Sequence, residues 1–282
     1  MKNPDCALKR SLRLAALAAA VAAVFAGTTS LANAASSDWA ESEGGRMRLT
    51  ALPPDTDGVI RAVLDVDLLP GWKTYWRNPG EAGIPPKVDF AGSINVDGFH
   101  LFFPPPERID DGYFTFAGYT EPVAFPITIK QQKPDGGSRL NANVFIGICS
   151  KICVPFQAEL FVDIKPETAP NDYERFIVDE AFGELPEPAS GDFNAGNPSM
   201  EDGGTGFRFD VTAPSSPEAA KMFVSGPAGW YFSVPEPVDS GKSGRFRVSI
   251  VASPEGAVLS GTSFKLLVVS GRRSMETDLK MP

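Results

Sequence analysis

Val59-Ile60-Arg61-Ala62-Val63-Leu64-Asp65-Val66-Asp67-Leu68 sets Ile60, Ala62, Leu64, Val66 and Leu68 on one parity and Arg61, Asp65 and Asp67 on the other. A period of two with an apolar and a charged side is the pattern of a β-strand that buries one face and wets the other. Similar runs rich in Val, Ile, Phe and Thr recur at 47–51, 122–130, 139–148 and 158–164. Turn residues such as Pro70-Gly71 and Pro134-Asp135-Gly136-Gly137 separate them, in a chain with 26 prolines and 27 glycines. The reading is all-β, with a β-sandwich as the most economical architecture.

Between residues 170 and 185 the period changes. Tyr173, Phe176, Ile177, Ala181 and Phe182 recur at helical spacing until Pro186 and Pro188 stop the run, which predicts one short amphipathic helix. Residues 187–206 are rich in Pro, Gly, Ser and Asn and read as a linker. Strand patterns resume at 207–212, 222–225, 230–234, 245–252 and 263–269, in a half that holds neither cysteine nor histidine. The expected organisation is a signal peptide at 1–34, a first sandwich at 35–168, helix and linker at 169–206, and a second, smaller sandwich at 207–282.

The signal peptide is read from Lys2, Lys9, Arg10 and Arg13, an apolar stretch at 14–25, and the small-residue site Ala32-Asn33-Ala34. Cleavage is expected after Ala34. The apolar stretch is short for a bilayer span, and no later segment approaches one. Export places the product in an oxidising space where disulfides persist. The net charge is −9, and removing the basic leader leaves −12. A chain this acidic has no footprint for nucleic acid, whose binding rests on phosphate neutralisation by Lys and Arg.

Cys6 falls within the leader, so export leaves Cys149 and Cys153, spaced as Cys149-Ser150-Lys151-Ile152-Cys153. Extended chain would hold the two Cα atoms about 13 Å apart, whereas a disulfide needs roughly 4.4–6.8 Å. The chain must bend at Ser150-Lys151-Ile152, and either a three-residue hairpin loop or one helical turn brings the sulfurs together. Lys151 is placed to favour a thiolate and Ser150 to donate a hydrogen bond. Composition and spacing leave two roles open, a redox pair and a structural staple. A domain of this size needs no staple, and so short a loop removes little unfolded-state entropy. Two cysteines and one distant histidine, His100, do not fill a zinc shell, and the scarcity of His and Met argues against copper handling. There is no phosphate-binding loop and no serine–histidine triad logic.

Four ordered segments carry a resemblance: Gly71-Trp72-Lys73-Thr74-Tyr75-Trp76-Arg77-Asn78-Pro79-Gly80, Pro105-Pro106-Glu107-Arg108-Ile109, Ala117-Gly118-Tyr119, and Ile148-Cys149-Ser150-Lys151-Ile152-Cys153-Val154-Pro155. Together they resemble the N-terminal periplasmic domain of DsbD-type and ScsB-type thiol:disulfide interchange proteins, over residues 46–165. The second half resembles, more weakly, the companion sandwich of ScsB-type proteins.

The resemblance implies an immunoglobulin-like sandwich and a periplasmic thiol:disulfide oxidoreductase in which Cys149 and Cys153 carry the electrons and no bound cofactor or metal takes part. The electron donor would be a membrane-embedded thiol reductase of the DsbD or CcdA kind. The acceptors would be thioredoxin-like or disulfide isomerase proteins of the periplasm. The segment Asp110-Asp111-Gly112-Tyr113-Phe114-Thr115-Phe116 matches the family's cap loop, with Tyr113, Phe114 and Phe116 shielding the sulfurs. Trp72, Tyr75 and Trp76 read as packing residues. The chain ends at Pro282 without the family's multi-span and thioredoxin-like domains, so electrons are expected from a separate protein. The competing reading is a non-enzymatic accessory to cytochrome or metal-centre assembly, with a structural disulfide.

Overall fold

A computed structural model of the chain describes residues 36–80, 83–110, 112, 115–134, 136–165, 171–239 and 244–282. The expected signal peptide at 1–34 and the cap residues Tyr113 and Phe114 lie outside the described residues.

The first strands are β1 (Ala40–Ser42), β2 (Gly45–Ala51), β3 (Val59–Leu68), β4 (Lys73–Tyr75), β5 (Lys87–Asp89) and β6 (Gly98–Leu101). They continue with β7 (Glu107–Asp110), β8 (Thr115–Tyr119), β9 (Val123–Lys130), β10 (Ser138–Cys149) and β11 (Cys153–Ile164). One sheet runs β1-β2-β3-β9-β6 and the other β11-β10-β4-β8-β7, with β5 also pairing β10. The two apolar faces close on Trp76, Leu64, Phe125, Ile127, Ile146 and Ile148, all without exposed surface. This is the immunoglobulin-like sandwich expected. Strand β3 alternates as its sequence predicts except at Val63, which is buried on the polar parity. Val63 is covered from outside by the helix α1 (Asp172–Gly183), through Val178 and Ala181.

Helix α1 starts where Asn171 accepts from the Glu174 amide and Glu174 reaches back to the Asn171 amide, a capping box that satisfies two orphan donors. It matches the predicted helical run. After it come β12 (Glu187–Pro188), β13 (Asn194–Met200), β14 (Gly206–Thr212), β15 (Lys221–Ser225) and β16 (Tyr231–Phe232). Strands β17 (Glu236–Pro237), β18 (Arg245–Ala252), β19 (Ser263–Ser270) and β20 (Arg273–Lys280) complete the chain. They form a second sandwich of sheets β12-β20-β19-β15 and β13-β14-β18-β16, with β17 on β18.

The stretch 187–206, read as linker from its composition, therefore carries β12 and β13, and Phe193 beside it is fully buried in the second core. Composition misleads there because edge strands tolerate Pro, Gly and Asn that central strands do not.

The two sandwiches share packing. Phe223 and Leu267 of the second are buried within the first core, and the Phe223 ring meets Trp76 edge-on at 5.9 Å. Arg77 lies over the Trp76 ring, bonds Ser225 Oγ at 2.9 Å and pairs with Glu276. Asn78 donates to the Trp230 carbonyl and Arg108 to the Met222 carbonyl. Among the described residues no helix is long and apolar enough to cross a membrane.

Candidate redox site

Strands β10 and β11 form a hairpin whose register closes on Cys149 opposite Cys153, and the pair is joined as a disulfide with Cα atoms 4.1 Å apart. Of the two local geometries open to the sequence, the structure takes the hairpin, with the Ser150 amide bonded to the Ile152 carbonyl across the turn.

The sulfurs sit on the outer face of their sheet. Directly opposed residues, and every second residue along a strand, share a face. Cys149 opposes Lys73 as well as Cys153, Tyr75 opposes Gly118, and Phe116 opposes Ile109. That face is exposed at Arg139 and closes toward the cysteines, where Tyr75, Phe116 and Cys149 are buried with Ile109 packed against them. A small aromatic cluster, separate from the main core, thus covers one sulfur.

Among the described residues, Tyr75 reaches both sulfurs with its hydroxyl. Its hydroxyl lies 2.9 Å from Cys149 Sγ and 3.3 Å from Cys153 Sγ. Bonded sulfurs carry no proton, so the hydroxyl is the donor. Two glycines make room for the ring. A Cβ at Gly83, where φ is +133°, would stand 2.6 Å from Tyr75 Cδ1, and one at Gly147 would stand 2.7 Å from Ile84 Cβ and 3.3 Å from Tyr75 Cδ2. Phe116 packs on Tyr75 with centroids 5.2 Å apart, and Lys73 Nζ stands 4.6 Å from the Phe116 centroid.

The two ends of the disulfide differ. Cys149 is 1 % exposed, whereas Cys153 is exposed at the first position of β11, next to Ile152 at 69 %. Ser150 and Lys151 are exposed on the turn, and neither side chain bonds a sulfur among the described residues. Of the three cap residues, Phe116 is described and stands in the cluster. Sequence reasoning grouped Tyr75 with Trp72 and Trp76 as packing. The signal that separates them is strand parity, which turns Trp76 into the core and Tyr75 outward, but it requires the β4–β10 register.

An immunoglobulin-like sandwich with a cross-strand disulfide on its outer face is the class that fold and site define. Residues 47–164 match the family model described as thiol:disulfide interchange protein DsbD, N-terminal. The fold is similar to the crystal structure of the N-terminal periplasmic domain of ScsB from Proteus mirabilis, with a TM-score of 0.67 and 20% identity. That likeness covers 88% of this chain and 100% of the other, and so includes both sandwiches. No curated protein matches. Residues 47–164, within the first sandwich, are thus similar to the N-terminal domain of a thiol:disulfide interchange protein.

Proposed function

We propose that the protein is a periplasmic electron carrier whose Cys149–Cys153 disulfide is reduced by a membrane-embedded thiol reductase. The dithiol then reduces thioredoxin-like or isomerase proteins of the same compartment. The observation that carries this reading is the asymmetry of the bridge: one sulfur faces a visiting thiol and the other leaves into a buried hydrogen bond.

In the forward step a donor thiolate attacks Cys153 Sγ, a new intermolecular S–S bond forms, and the Cys149–Cys153 bond breaks. The electron pair stays on Cys149 Sγ, where the Tyr75 hydroxyl donates to the new thiolate. The donor's second thiol then displaces Cys153, leaving a donor disulfide and a Cys149/Cys153 dithiol. Run in reverse, Cys153 attacks an acceptor disulfide and Cys149 resolves the mixed species. Phe116 and Ile109 shield Cys149 from solvent oxidants throughout. The pair itself holds both electrons, and no cofactor is needed.

The test is trapping. With Cys149→Ser, the remaining Cys153 should hold partners as stable mixed disulfides in the periplasm. With Cys153→Ser, the buried Cys149 should hold few. Equal or absent trapping by the two variants contradicts the assignment.

A further inference from the structure

The order of strands around the disulfide says how a partner reaches it. Strand β11 is the last in its sheet, and among the described residues no strand pairs with its other side. Further along, residues 37–40, Trp39 among them, lie beside Glu159, Leu160 and Phe161. Among the described residues the open edge is therefore the short stretch 153–157, and it begins at the exposed cysteine.

Hydrogen-bond parity fixes what that edge presents. The Gly147 amide donates to the Ile84 carbonyl at 3.3 Å, and its carbonyl accepts from Thr74 Oγ1 at 2.8 Å. Both groups of Gly147 thus turn away from β11, so Gly147 and Pro155 form a non-hydrogen-bonded pair of the antiparallel ladder. Two residues along, Cys149 and Cys153 have the same parity, and their 4.1 Å Cα separation fits the narrow spacing of such pairs. On β11 the groups that do not face β10 face outward. Cys153 and Gln157 each offer an amide and a carbonyl to an incoming chain, while Pro155 offers a carbonyl alone. A proline on an edge strand blunts indiscriminate pairing, so the edge accepts a short segment and resists a long one.

We infer that this edge is the docking strand for the redox partner, whose cysteine-bearing segment adds antiparallel to residues 153–157 with its cysteine opposite Cys153. The inference rests on the carrier reading above. A residue opposite Cys153 on the free side would form a hydrogen-bonded pair, with Cα atoms about 5.5 Å apart. That lies within the roughly 4.4–6.8 Å range of disulfides. Its side chain would share the face of Cys153 and Cys149, setting three sulfurs in a row across three strands. Displacement at sulfur needs that row, with the attacking thiolate opposite the leaving sulfur. The sheet acts as a template: the partner's thiolate bonds Cys153 Sγ as Cys149 Sγ departs with the electron pair. The partner is thus a dithiol protein with an extended segment at its reactive cysteine.

Gln157→Pro tests this, because it deletes an outward amide and leaves the bonds between β10 and β11 in place. Gln157→Ala keeps the main chain and removes only the side chain. Oxidation of reduced thioredoxin is followed beside reduction by dithiothreitol, which needs no strand. The expected result is a five- to tenfold slower reaction of Gln157→Pro with thioredoxin, roughly one backbone hydrogen bond. Gln157→Ala and the dithiothreitol rates should match wild type. A Gln157→Pro variant that meets thioredoxin at the wild-type rate, or slows equally with dithiothreitol, overturns the docking strand alone. Wild-type protein that cannot oxidise thioredoxin at all overturns the carrier reading and the docking strand together.

Discussion

Replacing Tyr75 with Phe removes one oxygen from a ring that is 4 % exposed and changes little else, so it isolates the hydroxyl on the sulfurs. In the oxidised protein that hydroxyl donates to a bonded sulfur, a weak acceptor. In the reduced protein, on the function proposed above, it would donate to a Cys149 thiolate. Hydrogen bonds to charged groups contribute about 1.5–3 kcal/mol, against about 0.5–1.5 kcal/mol for neutral ones. The reduced state therefore loses roughly 1–2 kcal/mol more than the oxidised state does. For a two-electron couple about 1.4 kcal/mol corresponds to roughly 30 mV. Tyr75→Phe should make the pair harder to reduce, with a potential about 20–45 mV more negative at pH values where the thiolate is present. The assay is equilibration against glutathione with the dithiol fraction read by alkylation, and the pH midpoint of Cys149 alkylation should move upward. An unchanged potential together with an unchanged midpoint would refute the role given to this hydroxyl.

Gly147→Ala should act in the same direction, because the added methyl would stand 2.7 Å from Ile84 Cβ, 3.1 Å from the Ile84 carbonyl oxygen and 3.3 Å from the Tyr75 ring, displacing the hydroxyl; a potential shifted downward by equilibration against glutathione checks it. Phe116→Ala opens the cluster over Cys149 and should cost about 3 kcal/mol in urea unfolding, while raising the rate of dithiothreitol attack severalfold. The double Cys149→Ser/Cys153→Ser variant should lose only about 2 kcal/mol by the loop-entropy argument, so the sandwich remains folded in circular dichroism. Burial holds the Tyr119 hydroxyl well above the ordinary tyrosine range, with Arg77 opposing weakly, and that hydroxyl donates to the Pro104 carbonyl. The folded state keeps this proton at pH values where the unfolded chain gives it up. Stability is therefore lost as pH rises past the unfolded tyrosine pKa of about 10. Tyr119→Phe should be less stable at pH 7 by about 1–3 kcal/mol and should lose part of that alkaline slope.

The sequence carried the first sandwich well because its strands alternate, and alternation needs no partner to be seen. Residues 60–68 lie within β3, and 139–148 within β10. The helix was legible for the same reason, through its apolar stripe and the prolines after it. Strands β4, β5, β7 and β12 were not, since two to four residues carry no period. Strand β20 escaped too: Arg273-Ser274-Met275-Glu276-Thr277-Asp278-Leu279-Lys280 sets Met275 and Leu279 inward among polar residues. At the site, the cysteine spacing announced a bend and a bridge, and the structure supplies both. What it could not announce was Tyr75. Nothing local distinguishes Tyr75 from Trp76; only pairing between β4 and β10, strands more than sixty residues apart in the chain, turns one to the sulfurs and the other to the core. Ser150 and Lys151, chosen for nearness in sequence, face solvent instead, because a tight turn points its central side chains away from the strands it joins.

A bridge built to be opened should stand in equilibrium with other exchange proteins. Titration of the Cys149–Cys153 couple in glutathione buffers measures this directly. The account predicts a reduction potential above about −300 mV, in the range of exchange proteins. A bridge that stays closed until far below that value is a staple, and would contradict the account at its root.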